Sequence, residues 1–65
     1  MTVHEPIVND NDRLELMATA KVLGAHRSSV LRWTHMGILQ CGIRKSNGRR
    51  FWTGREIKRF WRAMM

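Results

Sequence analysis

The side chains of this chain that are equipped for chemistry are cationic. Residues 16–65 hold eleven basic groups, Lys21, Arg27, Arg32, Arg44, Lys45, Arg49, Arg50, Arg55, Lys58, Arg59 and Arg62, against Glu56 alone, a net +10 within a whole-chain charge of +7. Glu5, Asp10, Asp12 and Glu15 fall in the first fifteen residues, opposed only by Arg13, so that end is net −3. A field of this size calls for a polyanion. Other chemistries lack their residues. The histidines at 4, 26 and 35 are not spaced with Cys41 as a zinc cluster would be, and one cysteine excludes an intrachain disulfide. With 65 residues there is one small domain and no room for a large active-site cleft. These observations predict a protein that is not an enzyme and holds no metal or cofactor. No run approaches a membrane span or a secretory signal, so a reducing cytoplasm is the expected compartment.

The elements that must position these cations follow from periodicity. LELMATAKVLG sets Leu16, Ala20 and Leu23 at spacings of four and three, which predicts a short helix with one core-facing side, stopped by Gly24. After the short link AHR, SSVLRWTHMG places Val30, Trp33 and Met36 one turn apart, and Gly37 suits a left-handed C-terminal cap. In ILQCGIRKSNGRRFW, Asn47-Gly48 is the strongest short-range signal for a hairpin with a two-residue type I′ turn. That register sets Ser46 opposite Arg49, Lys45 opposite Arg50, Arg44 opposite Phe51 and Ile43 opposite Trp52. Ile43 and Trp52 then point to the core, Phe51 takes the other, half-exposed face, and the turn displays Lys45, Arg49 and Arg50 with no acid nearby. Thr53 and Glu56 form a capping box, and Trp52 and Ile57 a hydrophobic staple around it. Ile57, Phe60, Trp61 and Met64 repeat at i, i+3, i+4 and i+7 opposite Arg55, Lys58, Arg59 and Arg62, which predicts a helix from about 54 to 64. Its apolar face is needed to complete the core, so no membrane partner is expected.

Helix, turn, helix, two-stranded hairpin, helix is the order of a winged helix-turn-helix. The expected fold class is therefore mainly α with a small β-hairpin (α+β). Residues 14–65 form that domain, and 1–13 an acidic N-terminal segment that is either a loose, extended leader or, as a strand over Val3–Val8, a dock for the next protomer.

From about Leu14 to Trp61 the sequence resembles the small DNA-binding domains of phage excisionases, close relatives of the DNA-binding heads of MerR-type regulators. The likeness is carried by LELMATAKVLG, by SSVLRWTHMGIL, by the Gly-Arg-Arg turn, and by the closing aromatic, Thr-x-x-Glu and apolar helix. Three positions depart from the family pattern. Glu15 and His26 stand where Ser or Thr commonly caps the two helices, leaving either start free to fray or shift by a residue. Thr34 replaces an aliphatic residue on the rear of the second helix.

The resemblance implies double-stranded DNA as partner, with the second helix in the major groove. Arg32 is then the candidate for a bidentate guanine contact, and Arg27, Ser28 and Ser29 lie at the helix start, where unpaired backbone N–H groups favour a phosphate. A serine there can equally serve only to begin the helix. His35 reaches the DNA backbone from the next turn. The hairpin becomes a wing in or across the minor groove, with Lys45, Arg49 and Arg50 on the groove and its phosphates. The implied role is a recombination directionality factor: an excisionase that bends DNA at repeated sites, self-associates head to tail, and biases a phage integrase toward excision in the host cytoplasm. Strand exchange would belong to that integrase, since the chain has no tyrosine to act as a nucleophile. The alternative is a small MerR-like transcriptional regulator; a MerR-type activator normally continues into a long dimerisation helix, and this sequence stops at Met65.

Overall fold

A computed structural model describes residues 1–64. Three helices and a three-stranded antiparallel sheet make an α+β fold: β1 (Arg13–Leu14), α1 (Leu16–Leu23), α2 (Arg27–His35), β2 (Gly42–Ile43), β3 (Arg50–Thr53) and α3 (Gly54–Met64). The sheet order is β1-β3-β2, so β3 is central. The expected hairpin is present, and β1, which sequence patterning did not suggest, pairs Arg13 with Thr53 and Leu14 with Trp52.

The core is Ala20, Leu23, Val30, Leu39, Trp52, Ile57 and Phe60, with Trp33 packed on Phe60 at a ring separation of 4.8 Å. It draws Ala20 and Leu23 from α1, Val30 from α2, and Ile57 and Phe60 from α3, with Leu16, Trp33 and Trp61 partly buried against it. Burying each large side chain contributes roughly 1.5–3 kcal/mol, so a core this small depends on every member. Met36 and Met64, expected on the buried faces, are exposed instead. For Met36 the reason is that α2 ends at His35. There Gly37 takes φ 81°, its N–H donates to the Thr34 carbonyl, and the Ile38 N–H donates to the Trp33 carbonyl. This paired closure turns the chain before Met36 can reach the core.

The hairpin register differs from the expected one. Gly42 pairs with Phe51 and Ile43 with Arg50. A four-residue loop, Lys45 to Gly48, replaces the two-residue turn: the Arg44 N–H donates to the Arg49 carbonyl and the Gly48 N–H to the Arg44 carbonyl, both at 2.8 Å. Only Gly48 has positive φ, whereas a type I′ turn needs it at Asn47 as well. Asn47 instead uses its side-chain oxygen to accept from the Arg49 N–H. The physical reason lies under Phe51, whose ring occupies the space a Cβ on residue 42 would fill. Glycine at 42 lets the ring lie this close to the opposite strand. Slipping by two residues keeps every side chain on its own face, so Trp52 stays inward. Ile43 moves beyond the edge of the core and is 56% exposed, not buried as expected.

Residues 1–12 lie along α1 and α3. The Thr2 N–H donates to the Leu23 carbonyl, an acceptor left open by the end of α1, and the Trp61 indole N–H donates to the Thr2 carbonyl. Pro6 is buried. At the start of α3 the Gly54 N–H donates to the Asp12 carbonyl, the Arg55 N–H to the Asp10 carbonyl, and the Glu56 N–H to the Thr53 hydroxyl. Three of the four donors that a helix start leaves open are thus satisfied, two of them by this arm. A Cβ on Gly54 would land on the Asn9 carbonyl oxygen, so glycine here permits the close approach.

Candidate nucleic-acid interface

Val30 is the buried anchor of α2, which leaves Arg27, Ser28, Leu31, Arg32 and His35 on the outer face and Ser29 half-buried. The helix start is capped by His26: its Nδ1 accepts from the Ser28 N–H at 3.2 Å and meets the Ser28 hydroxyl at 2.7 Å. The Ser29 and Val30 N–H groups donate to the His26 carbonyl. Histidine therefore does the work expected of a serine cap. The same bonds occupy donors that the sequence alone suggested were open to a phosphate, and Ser28 is engaged in that cap.

Thr34, the unexpected polar residue on the rear of α2, accepts from the Trp52 indole N–H at 3.0 Å. This bond joins α2 to the inner face of the hairpin. Arg50 sits on that inner face, and with Leu31, Thr34, His35 and Cys41 it lines one surface hollow. A second hollow runs from Leu31 past Arg50, Ile43 and Arg49 to Glu15 at the head of α1. Arg50 and Leu31 line both, so the two hollows adjoin where the outer face of α2 meets the hairpin. Of the expected site residues, Arg50 and His35 are brought together there. Arg27, Ser28 and Arg32 continue along α2, and Lys45 stands exposed in the loop. Arg49 faces Glu15, with Nη1 3.4 Å from the carboxylate. The hairpin turn therefore has an acid beside it, contrary to expectation, because the third strand returns residue 15 to its base.

Charge is partitioned over the surface. On α3, Arg62 makes two hydrogen bonds to Glu5 at 2.9 and 3.2 Å, Lys58 pairs with Asp10, and Arg59 pairs with Glu56. The Arg62 hydrogen bond holds the Glu5 carboxyl below the usual range, Lys58 does so for Asp10, and Arg59, with the Gln40 N–H behind it, for Glu56. Glu56 does not complete the reciprocal capping box, because its carboxylate turns to Gln40 and Arg59. Among the described residues, Arg27, Arg32, Lys45 and Arg50 have no carboxylate partner. Three of the four cations of α3 are thus paired, Arg55 being the exception, whereas on α2 and the hairpin Arg49 alone is paired among the described residues.

Patterning missed Leu31, although its three-residue step from Ser28 places it on the outer face. It also missed Glu15, whose tie to Arg49 has no local signature. Among the described residues no helix is long and apolar enough to cross a membrane, and no three His, Cys, Asp or Glu side chains group as metal ligands would. No family model matches the chain, and comparisons with curated proteins and with solved structures find no match.

Proposed function

We propose that the chain is a winged helix-turn-helix protein that binds double-stranded DNA, with α2 as the major-groove helix and the β2–β3 hairpin as the wing. One observation carries this reading: Glu5, Asp10 and Glu56 pair with cations of α3, while Arg27 and Arg32 of α2 and Lys45 and Arg50 of the hairpin have no carboxylate partner among the described residues. Bound phosphates supply the missing counter-charge, and release of condensed ions drives association. Arg32 and Arg27 are the residues for base and backbone contact on α2, with His35 beside them. Arg50 and Lys45 serve the wing, and Arg49 joins them when a phosphate displaces Glu15.

Within that class we propose an excisionase role: binding at adjacent repeats, bending the DNA, and directing a partner integrase toward excision. Its support is the motif likeness of residues 14–61; the surface described above fits DNA binding generally. A footprint on DNA flanking the protein's own gene, at near-physiological salt with competitor, tests it. Protection of adjacent direct repeats with phased hypersensitive positions is the expected result. A single palindrome over a promoter would instead assign a small transcriptional regulator.

A further inference from the structure

On the reverse face of the sheet, away from Trp52 and the core, Phe51 lies with an arginine from each neighbouring strand segment. The guanidinium carbon of Arg13 is 5.0 Å from the Phe51 ring centroid, and that of Arg44 is 5.7 Å. Both charges are therefore held against one aromatic ring. Neither side chain has a carboxylate or hydrogen-bond partner among the described residues. The Nε of Arg44 is shielded from solvent with no acceptor, which an isolated, freely solvated surface arginine would avoid. The fold nevertheless imposes this arrangement. Arg13 is placed by its pairing with Thr53, Arg44 by its hydrogen bond to Arg49, and the ring between them is seated on Gly42. Stacking on one ring restricts both side chains, so less freedom is lost when an anion arrives.

We propose that Arg13 and Arg44, held on Phe51, form a second anion site that takes a backbone phosphate of duplex DNA on the side of the wing opposite α2. This rests on the DNA-binding reading above. A hairpin entering a groove has a phosphate strand on each side. Arg50 serves the side facing α2, and the Arg13–Phe51–Arg44 cluster serves the other.

Phosphate contacts are independent of base sequence, so the test uses a labelled duplex of arbitrary sequence and reads log affinity against log salt. R13Q/R44Q, which keeps much of the aliphatic stems but removes both charges, is expected to lower the magnitude of the slope by about 0.9, the value for one phosphate contact. R13K/R44K, which restores the charges, is expected to recover most of it, whereas a purely structural role would leave the slope unmoved in both. Should the double glutamine variant fail a thermal melt, R13Q and R44Q singly carry the same test at about half the change. An unchanged slope in R13Q/R44Q beside a reduced one in R32Q/K45Q overturns this inference and leaves the DNA reading standing. A wild-type chain that binds no duplex overturns both. Inorganic phosphate titrated without DNA separates the sources: saturation by free phosphate with no change in the DNA slope also overturns it.

Discussion

The Trp52 indole N–H donates to the Thr34 hydroxyl at 3.0 Å, and this bond fixes the hairpin against α2. Trp52 is fully buried, so its polar hydrogen requires a partner that an aliphatic residue at position 34 would not offer. Thr34 therefore has a structural role as the acceptor for Trp52. It also sets the spacing between the two surfaces proposed to meet DNA.

Thr34→Val removes the acceptor at nearly constant volume. Stability is expected to fall by about 1–3 kcal/mol, the cost of leaving a buried donor unpaired. Denaturant unfolding followed by tryptophan fluorescence measures this. A value within error of wild type would show that the bond does not lock the hairpin.

Gly54→Ala drives a methyl group into the Asn9 carbonyl. Separation of the arm from α3 is expected, with a loss of about 1–3 kcal/mol as for other overpacked sites. Faster amide exchange should appear at Gly54 and Arg55, whose N–H groups the arm accepts. Unaltered exchange at both would show that the arm does not cap the helix.

Glu5, Asp10 and Glu56 titrate below their ordinary range because Arg62, Lys58 and Arg59 hydrogen-bond their charged forms. Their contribution to stability is complete above the ordinary carboxylate range and is lost as pH falls through the depressed folded-state values. Urea midpoints are therefore expected to decline from neutral toward acid pH. The triple variant E5Q/D10N/E56Q should show a shallower decline, and an equally steep one would place the linkage elsewhere.

Arg32 and Lys45 should differ in kind. Arg32→Ala is expected to cost about 1–3 kcal/mol on the preferred DNA site and to relax the preference at one base pair. Lys45→Ala should weaken all duplexes about equally and reduce the salt slope by about 1. Binding of a set of single-base variants of the site, at two salt concentrations, distinguishes them. Equal losses on every sequence for Arg32→Ala would remove it from base readout.

Short-range signals in the chain were sufficient for the three helices, the hairpin and the charge imbalance. The spacing of Ile57, Phe60 and Trp61, the Thr53 cap and the glycine stops at 24 and 37 act within a turn or two, where periodicity and backbone preference decide. The hairpin was visible in Asn47-Gly48, yet its register was not. Loop length depended on a contact across the sheet, the Phe51 ring over Gly42, which a turn dipeptide cannot encode. The arm lay further beyond reach. Asp10 meets Lys58 and Glu5 meets Arg62 across most of the chain, and those pairings separate neutralised cations from open ones. Composition supplied the total charge, but its distribution over the surface was decided by tertiary structure, because an ion pair depends on distance in space and carries no trace of that distance in sequence.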